Sequence, residues 1–233
     1  MTDDLLIILI PTLLAVIAAF IATYRQPGEN FTSGVQHFAA GLVIAAVALE
    51  LVPEMISGSK LVMAIGFIAG VGLMLGVRVA TSNTKIPKEK KNTDTGSTLL
   101  SAVGIDLIVD GLLLGLAVGQ GLLKSLGLIA ALTLEIGFLV LSTTTVLLSK
   151  GNSTSKALLK TIGVTLLFPL SAVGAYFFLK GLSGNALTAA VSFAVAALLY
   201  LVVEELLAEA HEVEDTTWGT ALFFLGFLVI FII

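Results

Sequence analysis

The chain contains no cysteine, only two histidines and little charge, and each of these shortages narrows its class. Without cysteine there is no disulfide framework and no thiolate metal site. Charged residues make up 12% of the 233 residues and apolar residues 57%, whereas about a quarter of a soluble domain is charged. The sequence therefore predicts an integral membrane protein.

Familiar signatures of enzymes and nucleic-acid binders are also missing. There is no Ser-His-Asp arrangement, no phosphate-cradling glycine loop, and no basic patch with interleaved aromatics. We therefore expect no enzymatic activity, no cofactor and no nucleic-acid partner. Residues Met1–Asp4 lack the basic segment of a signal peptide, so we expect the first apolar run to be retained as a span. The expected location is the cell membrane, with the lipid bilayer as the surroundings of a multi-pass protein.

Long apolar runs fill most of the sequence. A membrane-crossing helix needs about 20 apolar residues, and eight such runs can be drawn. The predicted fold is all-α, a single transmembrane domain over residues 1–233, with no internal repeat legible in the sequence. In chain order, spans 1 to 8 are predicted at Asp4–Tyr24, Gly34–Ile56, Lys60–Ala80, Ser97–Leu122, Ser125–Ser149, Ala157–Lys180, Ala186–Ala208 and Thr217–Ile233.

One hydrophilic stretch, residues 81–97, separates spans 3 and 4. Basic loops stay in the cytoplasm, so we expect this lysine-rich stretch to be a cytoplasmic loop and both termini to be external. That orientation places most of the cations inside, namely Arg25, Arg78, Lys85, Lys88, Lys90, Lys91, Lys150, Lys156 and Lys160, and leaves Lys60, Lys124 and Lys180 outside.

Glycines and prolines within the spans predict where helices approach and bend. Small residues four apart let backbones come close in lipid, and this spacing predicts close packing at Gly66, Gly70, Gly72, Gly76, Gly111, Gly115 and Gly119. Proline removes a helical hydrogen bond, so Pro11 in span 1 and Pro169 in span 6 predict kinks, the alternative being a freed backbone carbonyl that serves as a ligand.

Acidic residues inside apolar spans are the strongest functional signal. Asp106 and Asp110 are four residues apart, which places them on one face of span 4, in an apolar run without Lys or Arg. Glu135 of span 5 is expected at a similar depth. Intramembrane acids indicate a functional site, and the missing partner is a cation. The alternative is neutral, protonated acids hydrogen-bonded between helices.

Further acids extend this set toward both faces of the membrane. Glu50 and Glu54 of span 2 are predicted near the outer face, where they would collect a cation. Four residues of span 7 are predicted near the inner face, where they would receive it: Glu204, Glu205, Glu209 and His211. Solvation explains Glu54, Glu209 and His211 equally well, and we interpret His37 as an interfacial residue. Oxygen ligands alone suit Mg, Ca or Mn better than zinc.

At these residues the chain resembles the ZIP (Zrt- and Irt-like) family of divalent-metal transporters. The resemblance is carried by Phe38–Gly41 with Glu50–Glu54 for the family's second span, Asp106–Gly111 for the fourth, Glu135 for the fifth, Phe168 and Pro169 for the sixth, and Val203–His211 for the seventh. It implies a 3+2+3 arrangement of eight helices, a metal site between spans 4 and 5, and alternating access.

The resemblance further implies a divalent metal such as zinc, manganese or iron as the substrate, moved toward the cytoplasm. Asp106 stands where the family usually has His, and Phe168 where it has Glu. One metal position is then left, built from Asp106, Asp110 and Glu135, with a weakened preference for zinc. Two other functions stay open: a non-transporting sensor or structural membrane protein, and a proton-linked carrier of another solute. The oligomeric state is also open, with a homodimer among the candidates.

Overall fold

The computed structural model describes residues 2–24, 27–82, 95–121, 126–211 and 217–232, and every regular element within these ranges is a helix. Spans 1, 3, 4, 5 and 8 are continuous α-helices over Thr2–Tyr24, Lys60–Ser82, Thr95–Gln120, Leu126–Ser149 and Thr217–Ile232. Most of the predicted loop at residues 81–97 lies outside the described residues. At its edges the helices run on to Ser82 and begin again at Thr95.

Spans 2, 6 and 7 are interrupted helices. Span 2 consists of Glu29–Ala46, a π-helical turn at Val47–Leu51, and Val52–Ser57; span 6 consists of Thr154–Thr165 and Leu167–Leu179; span 7 consists of Gly184–Leu201, a π-helical turn at Val202–Leu206, and Leu207–Ala210. The break in span 6 lies just before Pro169, as predicted, whereas span 1 continues through Pro11.

Seven of these helices are long and apolar enough to cross a membrane, by length and composition. The all-α class predicted from the sequence is therefore confirmed for the part of the chain that the structure describes, and these long apolar helices support the predicted multi-pass membrane protein. The last apolar helix, Thr217–Ile230, is shorter than the other seven. Spans 4, 5 and 7 are the most buried of the seven long helices, while span 3 exposes most of its surface.

The helices pack in a pattern that repeats itself. Span 4 packs mainly on span 6, span 2 on span 8, span 1 on span 5, and span 3 on span 7. Exchanging span 1 with 6, 2 with 7, 3 with 8 and 4 with 5 reproduces the same four pairs. The same exchange relates Pro11 to Pro169 and the π-helical turn of span 2 to that of span 7. The two parts of the chain are therefore packed alike.

Glycine residues let several of these helix pairs approach each other closely. A Cβ atom on Gly111 would overlap Ser171 Oγ and the Phe168 carbonyl of span 6. Gly115 meets span 6 in the same way, Gly66 and Gly70 face the backbone of span 7, and Gly41 and Gly226 join spans 2 and 8. The predicted glycine contacts therefore exist at Gly66, Gly70, Gly111 and Gly115. At Gly72 and Gly76 no described atom lies within 4 Å of an added Cβ, so the packing predicted there is absent.

Candidate functional site

Both π-helical turns carry acidic residues. In span 2 the Val52 N–H donates to the carbonyl of Val47, five residues back, and Glu50 lies within this turn. Pro53 accounts for this π-helical turn, because proline has no N–H to donate to the preceding helical turn. In span 7 the Leu207 N–H donates to the Val202 carbonyl, and the turn contains Glu204 and Glu205. Such turns are frequent at functional sites.

A cavity of about 190 Å³ lies between spans 3, 4 and 7, and we call it the Arg78 cavity. Its polar lining consists of Arg78, Asp106, Tyr200, Glu204 and Glu205. The Arg78 guanidinium forms an ion pair with Glu204, and both side chains are partly exposed. Three carboxylates with one guanidinium leave this cavity with an excess of negative charge, which attracts cations.

A smaller cavity of about 40 Å³, the Glu135 cavity, adjoins the same acids from the side of span 5. Asp106 and Glu205 line both cavities, and Glu135 is added from span 5 together with Gln36 and Ser142. Asp106 of span 4 and Glu135 of span 5 therefore line the same cavity. Glu205, which is predicted closer to the inner face, lines this cavity together with Asp106 and Glu135.

Asp110 is the most enclosed acid of the set. Its side chain is 0% exposed, and neither carboxylate oxygen receives a hydrogen bond from any described residue. Asp106 and Glu205 are close enough to repel its charge electrostatically. Burying a carboxylate without a partner is expensive, and two neighbouring acids add to that cost. A cation would offset both contributions.

The acids do not form a finished metal site in this conformation. Among the described residues, no three His, Asp or Glu side chains are grouped so that they could hold a metal ion. Asp106 neighbours Asp110 and shares a cavity with Glu135, but the three carboxylates do not converge on one point. The triad proposed from the sequence therefore requires side-chain or helix movement to bind a metal.

A third cavity of about 170 Å³, the Glu54 cavity, lies further along span 4, at Leu116, Ala117 and Gln120. From Asp106 to Leu116 there are ten residues, which is about 15 Å along a helix. The fully buried Leu113 and Leu114 occupy the interval beyond Asp110. Along span 4, two buried apolar side chains thus follow Asp110 before the Glu54 cavity begins, and we call Leu113 and Leu114 the apolar barrier.

Glu50 and Glu54 line the Glu54 cavity, but their carboxylates differ in what they contact. Glu50 accepts hydrogen bonds from the backbone N–H groups of Gly127 at 2.7 Å and Leu128 at 3.2 Å. It therefore caps the first turn of span 5, whose N–H groups have no partner within the helix. A structural role accounts for Glu50 without any cation, whereas Glu54 is half-buried at the cavity wall.

The remaining predicted residues lie at the end of span 7. Glu209 belongs to the helix Leu207–Ala210, and its side chain is outside the described set. The imidazole of His211 lies beside that of His37. The sequence did not predict two contacts that the structure shows, His37 with His211 and Arg78 with Glu204. Nothing in the sequence indicates that Arg78, near the end of span 3, contacts Glu204 of span 7.

Comparison of the chain with protein-family models and with curated proteins finds no match. The resemblance to the ZIP family therefore stays a prediction that rests on the motifs quoted above.

Replacing Arg78 with Gln is expected to tighten the binding of divalent cations to the Arg78 cavity. The change releases Glu204 from its ion pair and removes the one positive charge of the described cavity lining. The pair is partly exposed, so the expected gain is modest, about two- to fivefold in Kd. Isothermal titration of the purified protein measures this gain. Lys60→Gln, at the opposite end of span 3, is the control, and an unchanged or higher Kd in Arg78→Gln would contradict the prediction.

Proposed function

We propose that this protein passes a divalent metal cation across the membrane toward the cytoplasm by alternating access, as the ZIP resemblance implies. The observation that carries the proposal is Asp110, a fully buried carboxylate that receives no hydrogen bond from the described residues and is repelled by Asp106 and Glu205. Such a group is costly in its ionised form, and either a proton or a visiting cation offsets that cost; acids at this depth of a membrane protein favour the cation.

The cavities suggest the order in which a cation meets these acids. Glu54 borders the cavity at one end of span 4, and the Arg78 and Glu135 cavities border Asp106 toward the other end. Asp110 lies between them. A cation that enters at Glu54 passes the Leu113 and Leu114 barrier, binds at Asp110 with Asp106 and Glu135, and leaves past Glu205 and Glu204.

Alternating access requires the barrier to open while the opposite cavities close. The repeated packing supports this, because exchanging the two parts of the chain exchanges spans whose directions across the membrane are opposite. The exchange relates spans 1–3 to spans 6–8, with spans 4 and 5 between them in the chain, and this supports the 3+2+3 arrangement. Spans 1, 4, 5 and 6 pack together, and so do spans 2, 3, 7 and 8. Moving one of these two packed sets against the other would expose Asp110 first to one side and then to the other.

The proposal includes an eighth span at the end of the chain. Its described helix, Thr217–Ile232, has 16 residues, which is about 24 Å and short of the roughly 30 Å apolar core of a bilayer. Its packing supports a span, since Gly226 lies against the backbone at Phe38 and Gly41 against that at Phe223. A slightly thinned bilayer accommodates such a helix.

Single cysteines introduced into this cysteine-free chain test the topology. An impermeant thiol reagent on intact cells is expected to label a cysteine at Thr2 and not one at Thr93, because the lysine-rich stretch is cytoplasmic. With eight spans a cysteine at Ile233 is labelled like the one at Thr2; with seven it is protected like the one at Thr93. The unmodified chain, which has no cysteine, is the control. Labelling at 93 but not at 2 would invert the orientation.

Asp106→His is expected to shift metal preference toward zinc. Asp106 lines both cavities beside Glu205, so an imidazole there adds a nitrogen ligand to an otherwise carboxylate site. The zinc-to-manganese affinity ratio should rise at least about tenfold in competition binding. Asp106→Asn, which removes the charge without adding imidazole, is the control.

Adding metal-binding side chains at two nearby positions, Leu107 and Ala131, is unsuitable. The side chains of Leu107 and Ala131 are fully buried, so Leu107→Asn and Ala131→His would bury polar groups or overpack the core. If a well-folded Asp106→His variant keeps the wild-type metal preference, Asp106 is not part of the selecting site.

A further inference from the structure

The only two histidines of the chain meet at one end of the bundle. His37 comes from the beginning of span 2 and His211 from the end of span 7, and their ring centroids are 5.2 Å apart with an interplanar angle of 81°. His37 is 6% exposed, whereas His211 is open to its surroundings. Neither histidine belongs to the group of acids around Asp110.

The backbone beneath the two rings is held by hydrogen bonds. Ser33 Oγ donates to the carbonyl of Ala210 at 2.8 Å, which fixes the end of span 7, next to His211, against span 2. Gly219 of span 8 lies against the His37 ring and leaves room for it, since a Cβ there would come within 3.2 Å of the imidazole. The relative placement of the two imidazoles is therefore set by three spans.

The tautomer of His37 follows from its hydrogen bond. Its Nδ1 lies 2.9 Å from the Ser33 carbonyl oxygen, and because a carbonyl only accepts, Nδ1 carries the proton. In the neutral ring Nε2 then has a lone pair, and no described residue donates to it. An imidazole whose Nδ1–H is bound to a carbonyl, with Nε2 available, is the usual state of a metal-ligating histidine.

The separation of the rings matches joint ligation of one metal ion. With zinc–nitrogen bonds of about 2.0–2.1 Å in tetrahedral geometry, two imidazoles on one ion have ring centroids about 5 Å apart. We infer that His37 and His211 form a binding site for a divalent transition metal with affinity for imidazole, such as zinc, separate from the carboxylates around Asp110. Water completes the coordination, so binding is exchangeable.

The inferred histidine site does not depend on whether the carboxylates around Asp110 transport a cation. It would give an otherwise oxygen-only protein a place where zinc is preferred over manganese. The ring geometry also suits edge-to-face packing without a metal, and that reading is the alternative outcome of the experiment below.

The test is zinc titration of the detergent-purified chain, prepared without a polyhistidine tag. His211→Gln, a change at an exposed position that should not disturb folding, is expected to lose one zinc equivalent or to weaken it at least about tenfold. Asp110→Asn should leave that equivalent unchanged, which separates this site from the proposed transport site. Manganese, which prefers oxygen ligands, should not compete for it.

A second readout uses acylation of histidine by diethyl pyrocarbonate, followed by mass spectrometry. Zinc should protect the exposed His211 in the wild type and lose this effect in His37→Gln. Unchanged zinc binding in His211→Gln would overturn the inference, and so would loss of the equivalent in Asp110→Asn alone. Absence of any zinc protection at millimolar concentration would show that the two rings pack and bind no metal.

Discussion

Cells that express the Asp106→Ala, Asp110→Ala double variant are expected to accumulate no more metal than cells without the protein, although the chain still reaches the membrane. The double change removes the buried Asp110 carboxylate and the Asp106 carboxylate shared by two cavities. Only Glu135 of the proposed ligands is then left, and one carboxylate holds a divalent cation weakly. Metal accumulation per unit of membrane protein, measured by elemental analysis, gives the result.

Stability separates this loss of function from misfolding. Removing two neighbouring like charges from a buried position is neutral or stabilising, so the metal-free double variant should melt at or above the wild-type Tm in detergent. Glu89→Gln, in the hydrophilic stretch before span 4, is the matched control for the loss of a carboxylate and should accumulate metal normally. Accumulation at the wild-type level in the double variant would remove Asp106 and Asp110 from the transport site.

The Gly111→Ala variant is expected to lose stability, although alanine is intrinsically a better helix former than glycine by about 1 kcal/mol. The added Cβ would overlap Ser171 Oγ and the carbonyl of Phe168, and the backbone nitrogen of Ala172 lies 3.0 Å away. The side chain of Ser171 can move, but the backbone of span 6 cannot move without separating two packed spans. Overpacking of this kind costs about 1–3 kcal/mol.

Gly72→Ala provides the matched control, since no described atom lies within 4 Å of its added Cβ. Its Tm in detergent should equal or exceed that of the wild type, so the two glycine changes have effects of opposite sign. Equal Tm values for the two variants would show that spans 4 and 6 are not packed as described. Because Gly111 follows Asp110, a folded Gly111→Ala protein should also show weaker cation binding.

The sequence predicted the helices well because length and apolar composition alone define a membrane span. The bounds of span 5 were predicted within one residue, Ser125–Ser149 against Leu126–Ser149. The π-helical turns at Glu50 and Glu205 were not predicted, since one extra residue in a helical turn leaves the apolar pattern nearly unchanged. The repeated packing was also hidden, because the related spans share shape and contacts and little sequence.

For the candidate site, helical spacing placed Asp106 and Asp110 on one face, but it does not say which helix that face meets. The contact with Glu205 depends on the packing of span 7, which spacing within one span cannot encode. Glu50 was predicted as a cation collector, and its hydrogen bonds to the start of span 5 depend on two spans meeting. The interpretation of His37 as interfacial rests on its place at the beginning of span 2, and its contact with His211 depends on a residue that is remote in sequence.

Cation flux into liposomes that contain only the purified protein tests the proposed function most directly. An outward-to-inward gradient of manganese or zinc, read by a metal-sensitive dye inside the vesicles, should produce influx through the wild type and none through the Asp106→Ala, Asp110→Ala variant. A proton gradient without metal should not change the pH inside the vesicles. Folded wild-type protein that admits neither manganese nor zinc, or that acidifies the vesicles in the absence of metal, would contradict divalent-cation transport.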